Sequence, residues 1–146
     1  MPTWETQGSN RYYREGDLLC YEPSSTVWLQ DIDRIVAVRE DIEREYEYVL
    51  SLYIAGNTVS LAPEARRRIG ERGRGHTPDG ANAIVGASFP FRILVEMLRN
   101  AGRLLGKKNP PLKFCSTIQE AMQWLAAERL RFTKAQVRPG QPPVPT

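Results

Sequence analysis

Apolar and polar positions along this chain change period repeatedly, from the alternation of strands to the three-to-four spacing of helices. Arg11-Tyr12-Tyr13-Arg14 and Leu18-Leu19-Cys20-Tyr21 flank Glu15-Gly16-Asp17, a glycine turn that predicts a β-hairpin. From about Val27 to Glu43, Trp28, Leu29, Ile32, Ile35, Val36 and Ile42 make an apolar stripe between charged residues, which predicts a helix with one buried face. Tyr48–Ile54 and Ala83–Ala87 are short apolar runs bounded by charge or glycine and predict buried strands. Pro63 suits the first turn of a helix, where its missing N–H costs nothing. Ser88 is placed to cap a helix over residues 89–105, whose predicted core face holds Phe91, Leu94, Met97, Leu98, Ala101, Leu104 and Leu105. Leu112–Cys115 reads as a last strand, and Thr117-x-x-Glu120 as a capping box for a final helix.

Strands alternating with helices imply an α/β domain with a mostly parallel, mixed sheet, an N-terminal β-hairpin and flanking helices. The expected organisation is a flexible arm over residues 1–10, one α/β domain over 11–131, and a disordered tail over 132–146. Four prolines fall in the last ten residues, which suits a segment unable to build a core.

Composition narrows the function classes. Hydrophobic residues make up 41% and charged residues 25% of the 146, the mix of a soluble globular protein. No apolar run approaches the roughly 18 residues of a membrane span, and the start has no leader pattern, so a cytoplasmic protein is expected. Two cysteines and one histidine fall short of a structural zinc site. Cys20 and Cys115 lie in apolar runs and are expected as buried, reduced thiols. Charge is uneven: residues 1–60 hold 5 basic and 11 acidic side chains, residues 61–146 hold 15 and 6. Opposite halves of this kind favour a charged partner or self-association.

Three stretches resemble the STAS domain family, especially its stand-alone SpoIIAA-like bacterial members. They are Leu52–Arg66 with Pro63-Glu64-Ala65-Arg66, the strand from Ala83 running into Ser88-Phe89-Pro90-Phe91, and Leu112–Leu125 with its acidic-capped Ala-x-x-Trp-Leu helix. The resemblance implies that fold, and a place for an Asp-Ser phosphorylation switch at a helix start. Leu61 and Ala62 stand at those two positions and take neither charge nor phosphate. Phosphorylation would add nearly two negative charges beside a partner surface, so the resemblance implies the family's scaffold without its switch.

The leading expectation is a non-enzymatic regulatory module that binds a protein partner through Thr58, Ser60, Ala62, Glu64, Arg66 and Arg67, with no cofactor and no metal. Charge at Glu64, Arg66 and Arg67 would steer association, and a homo-oligomer is a further expectation. The alternative is a small-ligand domain, for a lipid or nucleotide, at the C-terminal edge of the strands around Gly56, Asn57, Ser88 and Phe89. Arginines 92, 99 and 103 share a helix face, yet no aromatics interleave with them, and nucleic acid is not an expected partner. Gly70-x-x-Gly73-x-Gly75 follows a helix and lacks the context of a nucleotide loop; with His76 it reads as a surface loop.

Overall fold

The computed structural model describes residues 3–7, 10–23, 25–56, 60–72, 79–104, 106 and 109–135. Along them run β1 (Glu5–Gln7), β2 (Asn10–Glu15), β3 (Leu18–Glu22), β4 (Thr26–Val27), α1 (Leu29–Tyr46) and β5 (Val49–Ile54). There follow β6 (Ser60–Leu61), α2 (Pro63–Arg72), β7 (Gly80–Val85), α3 (Phe89–Leu104), β8 (Leu112–Cys115) and α4 (Ile118–Ala135). Six strands make one mixed sheet in the order β1-β2-β3-β5-β7-β8. The β1–β2 and β2–β3 pairs are antiparallel; β3–β5, β5–β7 and β7–β8 are parallel. The α/β class, the hairpin and the parallel strands are as the sequence predicts.

A parallel strand has helices on both faces, so its residues are buried irrespective of alternation. In β5, Val49, Leu50, Ser51 and Leu52 are all buried. Alternation sends Leu50 and Leu52 to one face, with Leu18, Cys20, Ala81, Ala83 and Val85, where Ala121 and Leu125 of α4 cover them. The small side chains of β7 let α4 lie close. Val49 points to the other face, with Tyr12, Leu19 and Tyr21, against Ile35 and Ile42 of α1. Gly86, just after β7, has φ +76°, and a Cβ there would stand 2.6 Å from the Ala55 carbonyl oxygen. Only glycine fits.

One polar contact ties the far end of α4 to the hairpin. Asp17 is buried in the β2–β3 turn, where Arg129 donates from Nε and Nη2 to its two carboxylate oxygens at 2.6 and 2.8 Å. The Tyr48 hydroxyl donates to the same carboxylate at 2.6 Å, and Phe132 stacks on the Tyr48 ring with centroids 5.0 Å apart. This contact revises the expected domain boundary: α4 continues to Ala135, past residue 131, because Arg129 and Phe132 have partners to hold its last turns.

Within the flexible arm expected over residues 1–10, Glu5–Gln7 form a strand. Glu5, Thr6 and Gln7 pair with Tyr12, Arg11 and Asn10 as the edge strand β1. Trp4 packs edge-on against Tyr13 at 4.7 Å, beneath the Arg11 guanidinium. The expected caps are present. Ser88 Oγ accepts from Phe91 N at 3.4 Å, and Thr117 Oγ1 from Glu120 N at 3.1 Å. The Glu120 carboxylate reaches Ser116 N, one residue earlier than a capping box requires. Asn57, Thr58, the loop with His76 and the tail from residue 136 lie outside the described residues.

Both cysteines are free and buried, as expected. Burial pushes the Cys20 thiol up to about 11 and the Tyr13 phenol up to about 12. Each group holds its proton more tightly folded than unfolded. Its contribution is therefore complete below the unfolded value and is lost as pH rises through the folded one. Unfolding free energy is accordingly expected to hold level up to about pH 9 and to fall between about pH 9 and pH 12, measured by denaturant titration across that range. Arg129→Met removes two charge-assisted hydrogen bonds from a buried carboxylate and should lower unfolding free energy by about 2 kcal/mol. The denaturant midpoint would then drop with its slope unchanged. An unchanged midpoint would mean that the pair contributes nothing, as for an exposed ion pair.

Candidate functional site

The face of the sheet that carries α1 is not closed along its whole width. Directly opposed residues share a face, so the register sets a floor: Tyr21 of β3 opposite Tyr53 of β5, Tyr53 opposite Ile84 of β7, with Leu112 of β8 beyond. Ile32, Ile35, Val36 and Arg39 of α1 form one wall, and Phe91, Val95 and Leu98 of α3 the opposite one. Ile69 of α2 and Leu61 of β6 add to the lining. Between them is a cleft of about 830 Å³, lined mainly by apolar side chains.

The position of α3 explains the cleft. α1 covers β3 and β5, while α3 packs chiefly on α2. Phe91, Val95, Leu98 and Gly102 repeat at helical spacing and face the gap. The attachments of α3 to the β8 side lie along one margin. Arg92 sits over the Phe114 ring at 5.1 Å, Arg99 Nη2 donates to the Pro110 carbonyl at 3.2 Å, and Asn109 Nδ2 donates to the Arg99 carbonyl at 3.0 Å. Glu96, between Arg92 and Arg99 on α3, has no ion pair among the described residues.

A small polar group interrupts the apolar lining. Arg39 Nη1 donates to the Tyr53 hydroxyl at 3.2 Å, and the Tyr21 and Tyr53 rings meet edge-on at 6.4 Å. Burial, then the charge of Asp31 and the neighbouring Tyr53, raises the Tyr21 phenol, so it remains a neutral hydroxyl. The Tyr21 hydroxyl, Arg39 Nε and Asn82 Oδ1 are buried without a hydrogen-bond partner among the described residues. Ser51 Oγ is the same, and Ser51 stands opposite Asn82 in the β5–β7 register.

Of the residues expected to bind a protein partner, Ala62 is buried and the others that are described are exposed. Ser60 is exposed but belongs to β6, paired with β4, and its hydroxyl lies 3.2 Å from Thr26 Oγ1. Ala62 is 3% exposed, its N–H donating to the Val27 carbonyl, so it offers no surface to a partner. Glu64, Arg66 and Arg67 are exposed on α2, with Arg66 Nε donating to the Leu61 carbonyl. Arg68 instead joins α2 to α1 through Asp33 at 2.7 Å. Thr58 is outside the described residues.

The cleft lies over the sheet face and reaches the C-terminal strand ends at Tyr21 and Pro23, at Tyr53, Ile54 and Ala55, and at Ile84; Gly56 is exposed. The Ser88 hydroxyl is engaged in capping, and Phe89 is 74% exposed outside the cleft. Asn57 is outside the described residues. α3 also departs from its expected core face, since Met97 and Leu104 are 63% and 87% exposed. They share an outer stripe with Phe89 and Ile93.

No family model matches the chain, and no curated protein does. It is similar to a solved structure with a SpoIIAA-like fold. That protein is an uncharacterized member of the DUF3478 family from Shewanella loihica PV-4. The two are 15% identical over 86% of this chain and 92% of that one, with a TM-score of 0.49.

Sequence reasoning missed Tyr21, Arg39, Asn82 and Val95 as site residues. One signal was open to it. Asn82 stands in an apolar strand run and Arg39 on a helix with an apolar stripe, both positions where polar groups require a partner. No helix among the described residues is long and apolar enough to cross a membrane.

Proposed function

We propose that this protein is a binding domain for a small apolar molecule, held in the cleft between α1, α3 and the sheet. The observation that carries the reading is the cleft itself, about 830 Å³ with a mostly apolar lining. Ligand sites are typically concave, apolar and of several hundred Å³, with few polar groups to orient what enters. A floor of sheet residues keeps such a site preformed, while α3 forms a wall that can adjust. This reading makes the domain a carrier or sensor, without catalysis, and replaces the helix start at residues 60–67 as the working surface.

The outer stripe of α3 favours a second reading, a protein-interaction module. Phe89, Ile93, Met97 and Leu104 are exposed together on one helix, more apolar surface than a solvated face needs. The two readings use opposite sides of the same helix and are separable by mutation.

The test uses N-phenyl-1-naphthylamine, an uncharged dye that brightens in apolar surroundings. Wild-type protein is expected to bind it saturably at one site. Val95→Trp fills the cleft from the α3 wall and should weaken binding by at least about tenfold with the unfolding midpoint retained, since loss of buried contact area of this order is worth more than 1.4 kcal/mol. Met97→Glu changes only the outer stripe and should leave dye binding as it is. Saturable binding that ignores Val95→Trp, or no saturable binding at all, would refute the ligand reading. Loss of binding in Met97→Glu alone would place the dye on the outer stripe.

A further inference from the structure

Every buried side-chain polar atom without a hydrogen-bond partner among the described residues lies on the cleft side of the sheet. The opposite face, under α4, has none; there even the buried Asp17 carboxylate is bonded by Arg129 and Tyr48. Native proteins leave few buried polar groups unsatisfied, because each costs the desolvation of a hydrogen-bonding group. Three of these four residues, Tyr21, Arg39 and Asn82, line one cleft, which points to a partner that enters it.

Their chemistry defines that partner. Arg39 has a buried Nε–H without a hydrogen-bond partner and makes no ion pair among the described residues, although Glu40 and Glu43 line the same cleft; its Nη1 already faces the Tyr53 hydroxyl. Tyr21 is 94% buried in complement to its 6% exposure, with its neutral hydroxyl free to donate. Tyr21 and Tyr53 are neighbours in the register, so guanidinium and phenol converge on the same part of the floor. Two donors, one of them permanently charged, in an apolar setting select an anionic acceptor, and a guanidinium matches a carboxylate in its planar geometry. The remaining lining toward Ile84, Val95 and Leu98 suits a hydrocarbon chain.

We infer that the ligand is a single-chain amphiphilic carboxylate, its head group on Arg39 and Tyr21 and its alkyl chain along the floor beneath α3. The inference rests on the cleft's being a ligand site and adds the class of ligand. The charged head would be stabilised by a charge-assisted hydrogen bond from Arg39 and a second bond from Tyr21. An uncharged alcohol of equal chain length would make neither charged contact.

The experiment measures displacement of bound N-phenyl-1-naphthylamine by dodecanoate and by dodecanol at neutral pH. Wild-type protein should prefer dodecanoate by at least about tenfold, the worth of a hydrogen bond to a charged group. Arg39→Met should abolish the preference and Tyr21→Phe reduce it, the preference being read as a ratio within each variant; Arg39→Lys should restore part of it. Equal displacement by the two compounds, or displacement by neither from protein that binds the dye, would overturn the head-group assignment while leaving the apolar cleft as a site. A preference that survives both Arg39→Met and Tyr21→Phe would also overturn it. Failure of wild-type protein to bind the dye would instead overturn the underlying reading.

Discussion

A parallel sheet must be covered on both faces, and this chain covers its two faces unequally. On one side α4 alone spans β5, β7 and β8, its Ala121 and Leu125 seated on Leu50, Leu52, Ala81 and Ala83. Small residues at Ala81, Ala83 and Ala121 allow the close approach that makes that face dense. The other side is divided. α1 covers β3 and β5 through Ile35 and Ile42, and the rest falls to α3, which packs chiefly on α2. The cleft follows from that division.

The same asymmetry sorts the polar groups. Under α4, Asp17, Tyr48 and Arg129 satisfy one another and fasten residues far apart in the chain. Under α1 and α3, Tyr21, Ser51 and Asn82 bring polar atoms to the floor without protein partners among the described residues. Leaving such groups unsatisfied is costly in a rigid core and useful in a binding site, where the ligand supplies the missing partner. The face with poorer packing is therefore also the one that carries the unsatisfied polar atoms.

Much of the fold was legible because its elements carry strong local signals. The hairpin turn at Gly16, the apolar runs of β5, β7 and β8, and the caps at Ser88 and Thr117 each specify an element within a few residues. β4 and β6 were not legible, since two residues have no period; they exist because Val27 and Leu61 meet across the fold. β1 depends on Trp4 finding Tyr13, a contact that composition does not announce. The α/β order that went with Pro63-Glu64-Ala65-Arg66 was legible, whereas the burial of Ala62 at the start of α2 was not.

The cleft was illegible for a more general reason. An apolar stripe at helical spacing says that a face is shielded from water and is silent on what shields it. On α3 the residues Phe91, Val95 and Leu98 face a cavity, while Met97 and Leu104, read from the same pattern, face solvent. The central claim is that the α1–α3 side of the sheet, and no other part of the molecule, receives a ligand. Amide NMR spectra recorded during titration with N-phenyl-1-naphthylamine test it most directly. The account predicts saturating shifts at Tyr53, Ile84, Val95 and Leu98, with Trp124 and Leu125 of α4 unmoved. Shifts centred on Ser60–Arg67 or on α4, with the cleft residues silent, would contradict it.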